Sequence, residues 1–172
     1  VKKLGLEQVS EKSSVSFLCT GDALIHSQIY TAYLSGLDAG LSFLDQPLAL
    51  PGQEKLPLQA LIRTADVAVL GQETPLVQDP GQYGDFPYFG TPAAFGKAFA
   101  ETGFDIAACA TNHALDRGMS GIDTTISTYQ SLDVVSLGIQ ASSDQQALRP
   151  YELLDRQGIR FALVNFSYGT NG

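Results

Sequence analysis

The alternation of apolar and polar positions divides the chain into short strand-like runs and amphipathic helical stretches. Residues 1–14 carry Lys2, Lys3, Glu7, Glu11, Lys12, Ser13 and Ser14 with no sustained apolar face, which predicts a tether and ordered structure from about Val15. Val15 to Thr20 is a short apolar run closed by Gly21, which predicts a buried strand that delivers Asp22 at its C-terminal end. A weakly helical stretch covers Ile25 to Leu34. After a connection containing Gly and Pro, Leu58, Leu61 and Ile62 share one helical face within Leu56 to Thr64, and Val67 to Leu70 follows as a second strand ending in GQETP.

Residues 74–91 hold Pro75, Pro80, Gly81, Gly84, Pro87 and Gly90 with Tyr83, Phe86, Tyr88 and Phe89 between them, which predicts a long aromatic loop rather than an element. Thr91 and Pro92 suit an N-cap and first helical position, Ala93 to Thr102 continue the helix, and Gly103 suits its left-handed C-terminus. Phe104 to Ala110 is the third predicted strand. A helix over Ser120 to Leu132 sets Ile122, Ile126 and Tyr129 on one stripe, and Val134 to Leu137 is a fourth strand ended by Gly138. Tyr151 to Phe166 splits at Gln157-Gly158 into two apolar strands, a hairpin signal. The second of these is apolar enough to call for neighbours on both faces.

Strands alternating with helices predict an α/β fold built from βαβ units around a mostly parallel sheet. In such sheets the ligand crevice lies outside the carboxyl ends of the strands.

Composition narrows the function. The 172 residues are 44% hydrophobic and 16% charged, which suits one globular domain, and no apolar run is long enough to span a bilayer. The net charge is −8 and the cations are scattered singly, so nucleic acid is excluded as a partner for want of a basic stripe. Cys19 and Cys109 each lie near the end of an apolar run and read as small buried hydrophobes rather than a disulfide or a metal knuckle. The chain opens on Val1, so any signal peptide or membrane anchor would lie upstream of it and its absence here carries no information. No G-x-G-x-x-G or P-loop follows any strand, which argues against a dinucleotide binder.

Three successive strand ends carry polar clusters: Asp22 and His26, then Gln72 and Glu73, then Asn112, His113 and Asp116. A parallel sheet brings all three to one edge. Carboxylates, an amide and an imidazole are the ligand types of Mn, Fe or Zn, with Mg or Ca served by the oxygens alone. Each residue also has a structural alternative: Asp22 as a helix cap, Glu73 and Asp116 as turn acids, Asn112 bonding its own loop, and His26 satisfying a local partner at the surface.

The order of GDALIH, GQETPL, ATNHALDRG and VNFSYGTNG resembles that of the bacterial capsule synthesis proteins that act in poly-γ-glutamate production, over about Val15 to Gly172. That family is similar to the calcineurin-like metallophosphoesterases, so the resemblance implies an α/β/β/α sandwich with a divalent metal ion (Mn, Fe, Zn or Mg). It implies Asp22 and Asn112 as metal ligands, Glu73 as a ligand or nearby base, and His113 as general acid or oxyanion support. Asp116 would orient His113, and His26 is retained as a further metal candidate.

The chain departs from the phosphoesterase pattern at Leu24, where a histidine is expected two residues after the first Asp, and carries Ala23 where capsule relatives have Asn. No histidine follows His113, so the expectation is that residues 15–172 form the N-terminal portion of a longer domain whose later ligands lie beyond it. The resemblance implies a membrane-tethered protein at the outer face of the cell, with a capsule polymer and membrane synthase or export proteins as partners. Two functions follow: a metal-dependent hydrolase of an envelope polymer, or a non-catalytic component that binds or helps export poly-γ-glutamate through a cation-bridged site.

Overall fold

The computed structural model describes residues 14–36, 47–48, 56–142 and 151–171, so the predicted tether lies outside the described residues except for Ser14. Phe17–Asp22 forms strand β1 and Ser27–Leu34 helix α1. Pro47–Leu48 (β2) pairs antiparallel with Leu56–Pro57 (β3), and Leu58–Ile62 forms the short helix α2. Val67–Gly71 is β4, and Leu76–Val77 (β5) pairs in parallel with Thr91–Pro92 (β6) at the two roots of the aromatic loop. Helix α3 (Ala93–Thr102), strand β7 (Ile106–Ala108), helix α4 (Gly118–Gln130) and strand β8 (Val135–Leu137) follow. Glu152–Arg156 (β9) and Ile159–Leu163 (β10) close as an antiparallel hairpin.

The main sheet runs β1-β4-β7-β8, every pair parallel. Both faces are covered, because alternate side chains of the same strands enter different clusters. Ala68 and Leu70 pack with Ile25, Ile62, Phe95, Phe99 and Phe104 under the helices. Val67 and Ile106 point the other way and, with Leu137, meet Leu154 and Leu163 of the hairpin. Helices, parallel sheet and hairpin are thus three successive layers of an α/β fold. Phe95 is wholly buried, and its truncation to Ala would cost about 3–5 kcal/mol.

Turn chemistry explains several boundaries. Gly103 ends α3 at φ 115°, and Gly138 ends β8 at φ 90°. Gln157 (φ 50°) and Gly158 (φ 78°) are both left-handed, the conformation a two-residue hairpin turn requires.

Four expectations need correction. The first strand is not buried: among the described residues β1 is the sheet edge, hydrogen-bonded only to β4, and Phe17, Cys19, Gly21 and Asp22 are exposed. Cys19 is therefore an exposed thiol, whereas Cys109 is buried as expected. Thr91 does not cap α3. It lies in β6 with its hydroxyl 2.6 Å from that of Thr74 in a buried pair, and the helix begins after Pro92 without a side-chain cap. The last strand lacks neighbours on both faces among the described residues: Phe161 and Leu163 turn inward, while Ala162 and Val164 stay exposed. No described helix is long and apolar enough to cross a membrane.

Candidate metal and catalytic cleft

The C-terminal ends of β1, β4 and β7 meet at one edge, and glycine sets how close they come. A Cβ on Gly71 would sit 2.8 Å from the Gly21 carbonyl oxygen, so the tight approach of β1 and β4 needs glycine there. The Ala23 N–H donates to the Gly71 carbonyl at 2.6 Å, and the Gln72 N–H to Ala108 at 2.9 Å. Gln72 turns inward: its amide donates to the Thr74 carbonyl at 2.6 Å and its carbonyl accepts from the buried Tyr129 hydroxyl. Glu73, one residue on, is thereby directed the opposite way, into the cleft.

Asp22, Glu73, Thr111 and Asn112 line this cleft together with the 166–171 segment. Burial raises the Glu73 pKa, the Asp22 charge raises it further, and a hydrogen bond with Asp22 and the Asp116 charge act in the same sense against the opposing pull of His113. Two carboxyl groups thus face each other across a short gap. The Thr111 hydroxyl donates to the Glu73 carbonyl at 2.6 Å and accepts the His113 N–H at 3.2 Å, which ties the third strand end to the second.

His113 forms a dyad with Asp116. Its Nδ1–H donates to Asp116 Oδ2 at 2.6 Å, with the imidazole 12% exposed and the Asp116 side chain fully buried. The same oxygen accepts the Phe89 N–H at 2.8 Å, while Oδ1 is buried without a partner among the described residues. The Phe89 ring meets His113 edge to face at 4.8 Å. The aromatic loop is therefore a wall of the site, and Arg117 secures it by donating to the carbonyls of Gln82, Tyr88 and Asp116.

His26 is placed differently. It is not among the cleft-lining residues, and its Nδ1 lies 2.6 Å from Asp85 on the far side of the Phe89 ring, which it meets at 5.3 Å. Asp85 also accepts the Ser27 N–H at 3.1 Å and the Ser27 hydroxyl, so Asp85 caps α1 and Asp22 does not. Asp85, Asn165, Arg117 and Asn171 carry no local sequence signal for the contacts they make. Asn165 Oδ1 accepts the Ala110 N–H at 2.6 Å. The Asn171 N–H donates to the Asn112 carbonyl at 2.7 Å, and its side-chain amide lies 3.0 Å from His113 Nδ1. Asn171 belongs to the quoted YGTNG motif, but separations of 58 and more residues hide such partners from any local pattern.

The sequence pattern defining the bacterial capsule synthesis protein PGA_cap matches residues 16–172. The chain belongs to that family. Its role is accordingly in capsule biosynthesis, and its α/β fold is that of a metallophosphoesterase-like domain. No curated protein matches the chain. In this capsule synthesis domain the described residues bring Asp22, Glu73 and Asn112 to one cleft with the His113–Asp116 dyad beside it. Among those residues, no three His, Cys, Asp or Glu side chains gather closely enough to hold an ion by themselves.

Proposed function

We propose that this capsule synthesis domain is a metal-dependent hydrolase at the outer face of the cell membrane. It acts on a capsule polymer, poly-γ-glutamate or another, beside membrane synthase or export proteins. The observation that carries the reading is the facing pair Asp22 and Glu73 at adjacent parallel strand ends, next to a histidine whose Nδ1 is held by a buried carboxylate.

The donor set fits a divalent cation. Asp22, Glu73 and the Asn112 amide offer oxygen ligands, and a cation between the carboxylates would offset the burial and the Asp22 charge that raise the Glu73 pKa. Bound there, Mn, Fe, Zn or Mg supplies a water of lowered pKa and a Lewis acid for the scissile group. The protein contributes orientation. With Nδ1–H directed at Asp116, His113 presents Nε2 as the nitrogen that gives a proton to a leaving group or steadies an oxyanion. The Phe89 ring restricts rotation of that imidazole and shields one side from water. His26, committed to Asp85, anchors the loop instead of joining the ligand set.

The test is metal content after dialysis, together with cleavage of a phosphodiester and of poly-γ-glutamate, for the wild type and for Asp22→Ala combined with Asn112→Ala. Stoichiometric metal and turnover lost together in the variant are expected; full activity in that variant sinks the reading. A second reading is a non-catalytic component that binds or helps export the polymer through a cation bridge at the same cleft, which Asp22, Glu73 and Asn112 line. Polymer retained in calcium or magnesium, with no ester or amide ever cleaved, selects it.

A further inference from the structure

Phe89 stands between the two histidines of the chain. Its ring meets His26 at 5.3 Å and His113 at 4.8 Å, edge to face in both cases, and the residue is 1% exposed. Its backbone N–H donates to Asp116 Oδ2, the oxygen that also holds His113 Nδ1 at 2.6 Å. Phe89 therefore acts on the His113 dyad twice, through the ring that packs on the imidazole and through the carboxylate that orients it. A shift of the loop at this position would change both contacts at once.

Two sides of the fold hold Phe89 in place. The Gly84 and Gly90 backbones pair at 3.1 and 3.3 Å, which closes residues 85–89 into a tip. On one side Arg117 donates to the Tyr88 carbonyl at 2.9 Å, but Arg117 directly follows Asp116, so this bond ties the tip to the dyad and not to the opposite wall. On the other side Asp85 accepts from the N-terminus of α1: from the Ser27 N–H at 3.1 Å, from the Ser27 hydroxyl, and from His26 Nδ1 at 2.6 Å. The Phe86 N–H completes the set at 2.8 Å. Tyr30, further along α1, adds a ring contact with Tyr83 at 5.8 Å.

The start of α1 is in turn fixed to the first strand end, which carries Asp22. The Ala23 N–H donates to the Gly71 carbonyl at 2.6 Å, and Ile25 is buried with Ile62, Leu70 and Phe95. A continuous path thus runs from the Asp22 arm through His26 and Asp85 to Phe89, and from Phe89 to His113. A group that transfers a proton works only when its orientation is locked by such supporting contacts. We propose that Asp85 is a positioning residue: by gripping the N-terminus of α1 it sets the tip so that Phe89 holds the His113 imidazole in register with Asp22. The proposal rests on the reading of His113 as the group that moves a proton in this cleft.

The experiment reads His113 directly. With two histidines in the chain, long-range proton–nitrogen correlation spectra of protein carrying isotope-labelled histidine, taken at about pH 8 where free imidazoles are neutral, give the tautomer of each ring. His26→Ala assigns the pair. Wild type should show His113 protonated at Nδ1 in one sharp set of signals. In Asp85→Ala that set should broaden or split as the ring gains freedom, with the fold retained by circular dichroism and the metal content unchanged. In the metal-loaded protein kcat should fall roughly tenfold in Asp85→Ala with KM unchanged. His26→Ala, which leaves the Ser27 bonds to Asp85 in place, should shift the His113 signals in the same direction and keeps the test readable if Asp85→Ala unfolds. Tyr88→Ala removes an exposed ring from the same tip, keeps the carbonyl that Arg117 grips, and should leave the His113 signals as they are. Unchanged His113 signals in folded Asp85→Ala and His26→Ala, or an equal response to Tyr88→Ala, overturns the proposal. A responding His113 in a protein without metal-dependent turnover refutes the hydrolase alone; turnover with His113 and kcat indifferent to Asp85→Ala refutes the positioning role alone.

Discussion

Replacing Tyr129 by Phe tests how the second strand end is held. The Tyr129 ring is wholly buried on α4, and burial pushes its phenol well above the ordinary value. Its hydroxyl donates to Gln72 Oε1, and Gln72, 2% exposed, has no other donor to that oxygen among the described residues. Removing the hydroxyl leaves a buried amide oxygen unpaired, a loss of about 1–3 kcal/mol, with about 2 kcal/mol the central expectation. For a chain of this size each kcal/mol moves the midpoint by about 2–4 °C, so Tm should fall by roughly 4–8 °C. Gln72→Leu alone should also destabilise, because it strands the phenol and the Thr74 carbonyl. In the double variant Tyr129→Phe with Gln72→Leu the two losses should not add: a coupling of about 1–2 kcal/mol is expected, since both members of the pair are gone. Thermal and urea unfolding followed by circular dichroism measure all four proteins. A Tyr129→Phe cost below about 0.5 kcal/mol, or simple additivity in the cycle, would refute the argument that this bond holds Gln72 inward.

Three further outcomes are expected. Gly96→Ala places a methyl 2.5 Å from Leu76 Cδ1 and 3.2 Å from Thr128 Cγ2 where α3, α4 and β5 pack. Overpacking of about 1–3 kcal/mol should outweigh the gain of about 1 kcal/mol in helix propensity and lower the urea midpoint. Asp85 is held below its ordinary value of 3.8 first by the Ser27 hydroxyl and then by the Phe86 N–H, so it contributes stability above that value and loses it as pH falls toward the folded one. Wild type should therefore exceed Asp85→Asn in stability at neutral pH, with the gap narrowing below pH 3.8 in unfolding measurements; a gap that widens there contradicts the assignment. Iodoacetamide should modify exposed Cys19 in the native chain, whereas Cys109, buried and with its thiol pushed up to about 12, should react only after unfolding, as mass spectrometry of the adducts will tell.

The site was legible where its residues follow a strand end directly. Asp22, Glu73 and Asn112 come to one cleft because parallel strands place their C-termini on one edge, a consequence of topology that needs no side-chain detail. His113 and Asp116 are three residues apart in one loop, so their dyad was within reach of local reasoning. His26 shows the limit. Its spacing from Asp22 suggested a shared ion, but its partner Asp85 lies 59 residues away in a loop whose path the sequence does not reveal.

Periodicity and turn residues in the sequence determined the α/β class, the strand ends that carry the acids, and the hairpin at Gln157-Gly158, because these depend on contacts within a few residues. Tertiary structure alone decided which strand would be the edge, and so exposed β1 and Cys19 despite their apolar run. It turned Thr91 from a cap into a buried partner of Thr74, joined Asn171 and Arg117 to the site and its wall, and drew His26 away to Asp85. Local propensity sets what an element is, whereas burial and pairing depend on neighbours distant in the chain, and those exist only once the layers have packed.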